Sequence, residues 1–172
     1  MIAAEKTNIA TLVDALATAG VDFVASLPDS RIAPLIARIE QDERFTHVGL
    51  TSEDEGVGVC AGAYFGGKKP CLLIQNSGLL EATNDLVTLA LFSQIPMLLA
   101  VAYRGHIGEP HWYHGLVGRV TEPVLQALGL KYVVLDDAGR SADVFAGARL
   151  LAESSSAPVA VLLTLSAIGS AK

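Results

Sequence analysis

The chain has 172 residues, 51% of them hydrophobic and 17% charged, with a net charge of −6. That is one domain's worth of core over residues 1–172, with too few charges to wet the whole surface of a small domain, so strands are buried on both faces or a partner covers part of the chain. The absence of a basic run argues against nucleic acid, no apolar run reaches membrane-spanning length, and the N-terminus lacks a secretory pattern; the expected place is the cytoplasm, with Cys60 and Cys71 as reduced, buried small hydrophobes.

The elements alternate along the chain. Ile9 to Ala19 carries apolar residues at helical spacing and stops at Gly20. Asp22 to Leu27 reads as a strand closed by the turn Pro28-Asp29, and Ser30 as the cap of a helix running to about Gln41. Thr46 to Leu50 predicts a second strand, and Glu53 to Phe65 a helix rich in small residues. Gly-Gly-Lys-Lys-Pro turns into a third strand, Cys71 to Gln75. Asn76-Ser77-Gly78 reads as a turn before a helix over 79–92. Pro96 to Tyr103 is the fourth strand, followed by a long polar loop, 104–115. A helix over 116–128 stops at Gly129, and a strand over 131–135, a helix over 142–154 and a strand over 159–163 complete the pattern.

Six near-continuous apolar strands alternating with helices predict an α/β fold: a three-layer domain with a six-stranded parallel sheet and helices on both faces. Ligands of such sheets sit at the carboxyl ends of the strands. Those ends carry Pro28-Asp29-Ser30, Thr51-Ser52-Glu53, Asn76-Ser77-Gly78 and Arg104-Gly105-His106.

Each of these has a plain structural reading and a functional one. Glu53 heads the acidic run Glu53-Asp54-Glu55, and acids favour a helix start for dipole reasons alone. The run Gly56 to Ala63 behind it is a poor surface helix, and its small residues suit close approach by another backbone or subunit. Gly78 is a turn residue or a place where a flat ligand meets the backbone. The loop 104–115 holds three of the four histidines and the only tryptophan. His111 and His114 lack a carboxylate or cysteine at metal-ligand spacing and fit proton transfer near neutral pH better than a metal. Arg104 is a surface arginine or a fork for an anionic substrate. No dinucleotide fingerprint, P-loop or nucleophile elbow occurs.

Glu53-Asp-Glu-Gly-Val-Gly-Val-Cys-Ala-Gly-Ala-Tyr, then Gly-Lys-Lys-Pro and Gln75-Asn-Ser-Gly-Leu, resembles the pyrimidine-binding domain of thiamine diphosphate enzymes, nearest to the sulfopyruvate and phosphonopyruvate decarboxylases. Leu27-Pro-Asp-Ser and Arg104-Gly, followed by Glu109-Pro and Gly118-Arg-Val-Thr, add to the likeness, which spans roughly Thr11 to Leu165. The resemblance implies the thiamine diphosphate-binding fold of pyrimidine type. It also implies a cofactor-activating glutamate nine residues before the helix glycine; counting back from Gly62 gives Glu53, with Glu55 as runner-up. By the same likeness Asn76, Ser77 and Gly78 lie beside the aminopyrimidine. Pro28, Asp29 and Ser30 reach across the subunit interface toward the substrate, a small anionic 2-oxoacid that the Arg104 fork also suits, and His114, with His111 in a short insertion beside it, supplies a proton.

The Gly-Asp-Gly…Asn-Asn pattern that holds magnesium and diphosphate in this family is absent from the sequence. The resemblance therefore implies an alpha subunit that shares thiamine diphosphate with a beta subunit carrying the diphosphate and Mg²⁺ site, self-associates, and converts sulfopyruvate to sulfoacetaldehyde and CO₂. A phosphonopyruvate-type or carboligating subunit, and a non-catalytic module that kept the fold, are the alternatives.

Overall fold

The computed structural model describes residues 2–169. Its helices are α1 (Ile2–Thr18), α2 (Ala33–Ile39), α3 (Glu53–Phe65), α4 (Asn76–Glu81), α5 (Thr83–Asp85), α6 (Gly115–Ala127), α7 (Ser141–Ser155) and α8 (Leu165–Ile168). Its strands are β1 (Phe23–Ser26), β2 (Thr46–Gly49), β3 (Pro70–Gln75), β4 (Leu98–Ala102), β5 (Lys131–Leu135) and β6 (Val159–Leu163). All six pair in parallel in the order β2-β1-β3-β4-β6-β5.

Both faces of the sheet are covered, as the unbroken apolar strands predict. Because side chains alternate along a strand, Cys71 and Leu73 of β3 join Leu98 and Ala100 of β4 in a core under α1, α2 and α7. Leu72, Ile74, Leu99 and Val101 point the other way, into a core under α3, the segment from α4 to Leu91, and α6. Cys60 and Cys71 are buried free thiols in these two cores, and burial pushes the Cys71 thiol up to about 12.

The chain leaves β1 toward β2 on one side and β3 toward β4 on the other, so the sheet order reverses between β1 and β3. The crevice beyond their carboxyl ends is where a ligand of an open α/β sheet is expected. Pro28-Asp29-Ser30 follows β1 and Asn76 follows β3 without a gap.

Three local expectations differ from the structure. Ser30 does not cap α2, whose N-cap is Ile32 without a side-chain bond; Asp29 shapes this turn instead, its carboxylate accepting from the Arg31 N–H at 2.8 Å and its carbonyl from the Ala33 N–H at 2.9 Å. Asn76-Ser77-Gly78 is the first turn of α4 rather than a separate turn. The helix expected over 79–92 is broken into the end of α4, the single turn α5 and a π-helical stretch, Leu86–Leu91, a widening that recurs at functional sites. The short helix α8 after β6 has no counterpart in the sequence reading.

Candidate active site

Three neighbouring acids open α3, and the structure gives them different work. Glu55 turns back over the helix start, where its carboxylate accepts from the Thr51 N–H at 3.0 Å and the Thr51 hydroxyl at 2.8 Å. Asp54 accepts from the Ser52 hydroxyl. These bonds hold both carboxyls below the usual glutamate and aspartate range, as expected of acids that satisfy a helix N-terminus. Glu53 behaves in the opposite way. Burial raises its pKa, only partly offset by its own backbone N–H, and the negative charges of Glu81 and Asp54 raise it further. A carboxyl in this position retains a proton more readily than its neighbours do.

Glu53 lies flat on Gly78. A Cβ placed on Gly78 would collide with Cγ, Cδ and Oε1 of Glu53, so any other residue there displaces the acid. Gly56 sits under the same helix, where a Cβ would strike Leu50 and Leu72; this lets α3 settle close to the sheet. Gly58 and Gly62 face outward, with nothing within 4 Å of a Cβ at either position. The glycines of this helix therefore split into one that admits the sheet and two that leave an open, flat outer surface. Phe65, 70% exposed at the end of α3, and Phe92, 83% exposed after the π-helical stretch, extend an apolar surface on the two segments that pack side by side.

Asn76 is fully buried. Its amide donates to the Arg104 carbonyl at 2.9 Å and to the Thr121 hydroxyl at 2.8 Å, while its oxygen accepts from the Arg104 N–H at 3.3 Å. It thus ties the end of β3 to the end of β4 and to α6, and its side chain is consumed inside the fold. Ser77 is exposed on the first turn of α4.

The second group of site residues gathers around Arg104. Its Nη1 donates to Asp29 at 2.9 Å and to the Ser30 hydroxyl at 3.3 Å, and its Nε donates to Glu109 at 2.9 Å. Arg31 reaches the same Glu109 at 3.1 Å. The four side chains are 4 to 11% exposed and balance to zero formal charge. Burial opposes ionisation of Glu109, but bonds from Arg104 and from the Gly105 and His111 N–H groups, with the charge of Arg31, outweigh it and hold the carboxyl at about 2. Arg104 therefore anchors the turn after β1 to the long loop. A guanidinium already closed on two carboxylates offers less to an incoming anion than the sequence reading expects of it.

The loop is pinned again behind Arg104. Gly105 has φ of +76°, and a Cβ on it would strike the carbonyl of His114 and the backbone of Gly118; a Cβ on Gly118 would strike Gly105 in return. Arg104-Gly and Gly118-Arg are thus two halves of one backbone contact. His114 is half-buried at the foot of α6; burial lowers its pKa, and nearby Arg104 lowers it further, which favours the neutral ring. The His111 ring is exposed, 6.1 Å from His114 edge to face, and borders a small cleft with Ser30, Arg31, Arg104, Pro110, Leu165 and Gly169. Pro28 is exposed at the turn.

The structure thus brings Asp29, Ser30, Arg104 and His114 into one cluster, and Glu53 and Gly78 into another, with Asn76 bridging the elements that carry them. Arg31 and Thr121 are participants that sequence reasoning missed, and Glu109 is one to which it gave no role. Glu109 had a readable signal, since it was the only acid in a loop that otherwise offered cations.

A flat aromatic ring with a basic nitrogen suits the Glu53 end: a proton-retaining carboxyl lies over a glycine surface with no cation among the charges acting on it. Among the described residues no group of three or more His, Cys, Asp or Glu side chains could hold a metal ion, and no helix is long and apolar enough to cross a membrane.

Comparison with known proteins shows the family. The family described as thiamine pyrophosphate enzyme, N-terminal TPP binding domain, matches residues 7–122. Sulfopyruvate decarboxylase subunit alpha of Methanococcus maripaludis is 33% identical over 149 residues, 87% of this chain and 89% of that one. The protein of the same name from Methanothermobacter thermautotrophicus is 36% identical over 114 residues, 66% of this chain and 69% of that one. Phosphonopyruvate decarboxylase of Streptomyces viridochromogenes is 36% identical over 129 residues, which cover 74% of this chain but 32% of that protein. In fold, the chain is similar to part of a 2-oxoglutarate:ferredoxin oxidoreductase from Magnetococcus marinus, with a TM-score of 0.71 at 20% identity over 94% of this chain and 29% of that one. The chain belongs to the thiamine pyrophosphate enzymes and carries their N-terminal TPP-binding domain.

Proposed function

We propose that the chain is the alpha subunit of a thiamine diphosphate-dependent 2-oxoacid decarboxylase, with sulfopyruvate as substrate and sulfoacetaldehyde and CO₂ as products. The whole chain serves as one pyrimidine-binding domain. The observation that carries this reading is the Glu53 carboxyl, lying on Gly78 and biased toward its protonated form. The relatives named as alpha subunits, similar over most of their length, point to the same role.

Thiamine diphosphate, when bound, supplies the electron sink that a 2-oxoacid needs to lose CO₂. This chain's part is to activate it. Glu53 presents a hydrogen bond to the pyrimidine ring nitrogen, and Gly78 with Ser77 leaves a flat floor beside the ring. Asn76 fixes that floor by clamping β3 to β4 and α6. His114, neutral and half-buried, is placed to exchange a proton at the substrate end, with His111 at the rim. The turn Pro28-Asp29-Ser30, held by Arg104, forms the wall that faces the oxoacid, beside the cleft that Arg31 and Arg104 line.

On this reading the diphosphate and Mg²⁺ belong to a beta subunit, and the open glycine face of α3 with Phe65 and Phe92 is a surface for association, with that subunit or a second copy. The complex is cytoplasmic. The test is reconstitution with a beta subunit carrying the diphosphate-binding domain, assayed on sulfopyruvate, phosphonopyruvate and pyruvate. Sulfopyruvate turnover is expected from the pair and not from the isolated chain, with Glu53→Gln lowering kcat by about 100-fold or more. Full turnover by the chain alone, or by the Glu53→Gln complex, would sink the reading; preference for phosphonopyruvate would move the substrate.

A further inference from the structure

The two edges of the sheet, β2 and β5, are built differently. β2 is four residues long, its His47 ring is bonded to the Ser26 hydroxyl at 2.8 Å, and the connection leading into it carries Glu40, Asp42, Glu43 and Arg44. Charge of that density blunts an edge strand. β5 reads Lys-Tyr-Val-Val-Leu, with its only charge at the amino end and with Tyr132, Val133 and Val134 half-buried. Among the described residues no strand lies beyond it. The Thr164 N–H donates to the Leu135 carbonyl at 3.0 Å, so Leu135 turns its backbone groups toward β6. By alternation Lys131 and Val133 do the same, and the N–H and C=O groups of Tyr132 and Val134 face outward.

α7 runs beside this edge and lacks the polar outer face of a helix that meets only solvent. Between Asp143 and Glu153 the one charged residue is Arg149, which is buried and bonded to Glu153 at 2.8 Å. Ala146, Gly147, Leu150 and Leu151 lie outside, with Leu150 68% exposed. Nothing lies within 4 Å of a Cβ placed on Gly147. Val144, Gly147 and Leu151 line a cleft along β5 together with Val133.

We propose that the β5 edge pairs with the β5 edge of a second copy of this chain, antiparallel about a two-fold axis beside Val133. The backbone sets the register. Tyr132 of each copy exchanges both bonds with Val134 of the other, which leaves Val133 opposite its own copy on the α7 side of the sheet. The same axis brings the amino end of each strand to the carboxyl end of the other. Lys131 thereby meets the acids beyond β5, which are Asp136, Asp137 and, in the first turn of α7, Asp143; the one cation among them is Arg140, 3.7 Å from Asp136. A two-fold perpendicular to a sheet keeps each face on its own side, so the two uncharged α7 surfaces lie together. Backbone, charge and apolar face are all self-complementary, and a second copy satisfies the three at once. β4 and β6 separate β5 from β3, so the contact leaves Gly78 and the outer surface of α3 free and requires nothing of Glu53.

The test is sedimentation of the full chain over a range of concentrations, with hydrogen exchange read at single amides. The chain is expected to sediment at twice its own 18.0 kDa, with the Tyr132 and Val134 amides protected and losing that protection on dilution. Leu151→Arg puts a cation into the apolar face, and Val134→Pro removes an outward donor while sparing the ladder to β6. Each should weaken dimerisation about 100-fold, Leu151→Arg at an unchanged melting temperature, and Glu53→Gln should leave the dimer intact. A chain that is monomeric at every concentration overturns the proposal. A dimer that survives both substitutions, with the Tyr132 and Val134 amides exchanging freely, overturns it too and moves the contact to another face such as α3. Protection of those amides that appears only when a beta subunit is added gives the edge to a different partner and equally overturns it.

Discussion

The Arg104 cluster and the Glu53 site lie on the same edge of the sheet and treat charge in opposite ways. In the first, two arginines meet two carboxylates, every partner is nearly buried, and Glu109 is held ionised to about pH 2. In the second, burial raises the pKa of the Glu53 carboxyl, and the charges nearby, Glu81 and Asp54, are negative and raise it further. The closed cluster has satisfied itself and builds a wall. Glu53 is left short of a positive or proton-accepting partner, which is the condition a binding site must be in before its ligand arrives.

Removing one acid from each region breaks this comparison most sharply. Glu109→Gln leaves two buried guanidinium groups with a single carboxylate, and loss of one member of a buried ion pair costs about 3 kcal/mol or more. The melting temperature is expected to drop by many degrees. Glu53→Gln removes a charge that the fold resists, so thermal unfolding at pH 7 should stay the same or rise. Equal losses of stability in both variants would mean that Glu53 is a structural acid like Glu109.

A pair of glycine substitutions sharpens the same contrast at a smaller scale. Gly105→Ala puts a Cβ on the His114 carbonyl at a positive φ, and backbone cannot move aside cheaply; a loss of about 2 kcal/mol is expected. Gly78→Ala meets only a side chain, so unfolding should change much less while Glu53 is pushed off its floor. In the reconstituted complex that displacement should appear as a loss of kcat of about 10-fold or more. Unfolding curves and steady-state rates on the two variants separate the effects.

These two regions also mark what the sequence could disclose. Unbroken apolar strands such as Leu98–Ala102 carry the sheet and its burial on both faces in their composition, and Gly20 and Gly129 mark helix ends by their type. Glu53 could be singled out because the family resemblance implies an activating glutamate nine residues before a helix glycine, here Gly62, and that is a local count. The Arg104 network could not, since it joins Asp29 and Arg104 across 75 residues and depends on a strand order that alternation alone leaves open. Asn76 looked like a turn residue because its type favours turns, whereas its bonds go to Thr121, 45 residues away.

The finest test of the contrast is the dependence of stability on pH, because the two regions contribute with opposite sign. Glu109 has a folded value of about 2 against an ordinary 4.5, so the folded state binds fewer protons than the unfolded chain between those values. Its contribution is complete above pH 4.5 and is lost as pH falls toward 2, at up to about 1.4 kcal/mol per pH unit. Glu53 is raised above 4.5, so the folded state binds more protons than the unfolded chain just above that pH. Acidification through that window therefore stabilises the fold until 4.5 is reached. Denaturant unfolding at closely spaced pH values should show Glu53→Gln flattening the upper window alone. Glu109→Gln should flatten the lower one alone. A wild-type curve whose upper window is untouched by Glu53→Gln would place the Glu53 carboxyl in ordinary solvent, and the distinction between a satisfied wall and a waiting acid would then have to be drawn elsewhere on this edge.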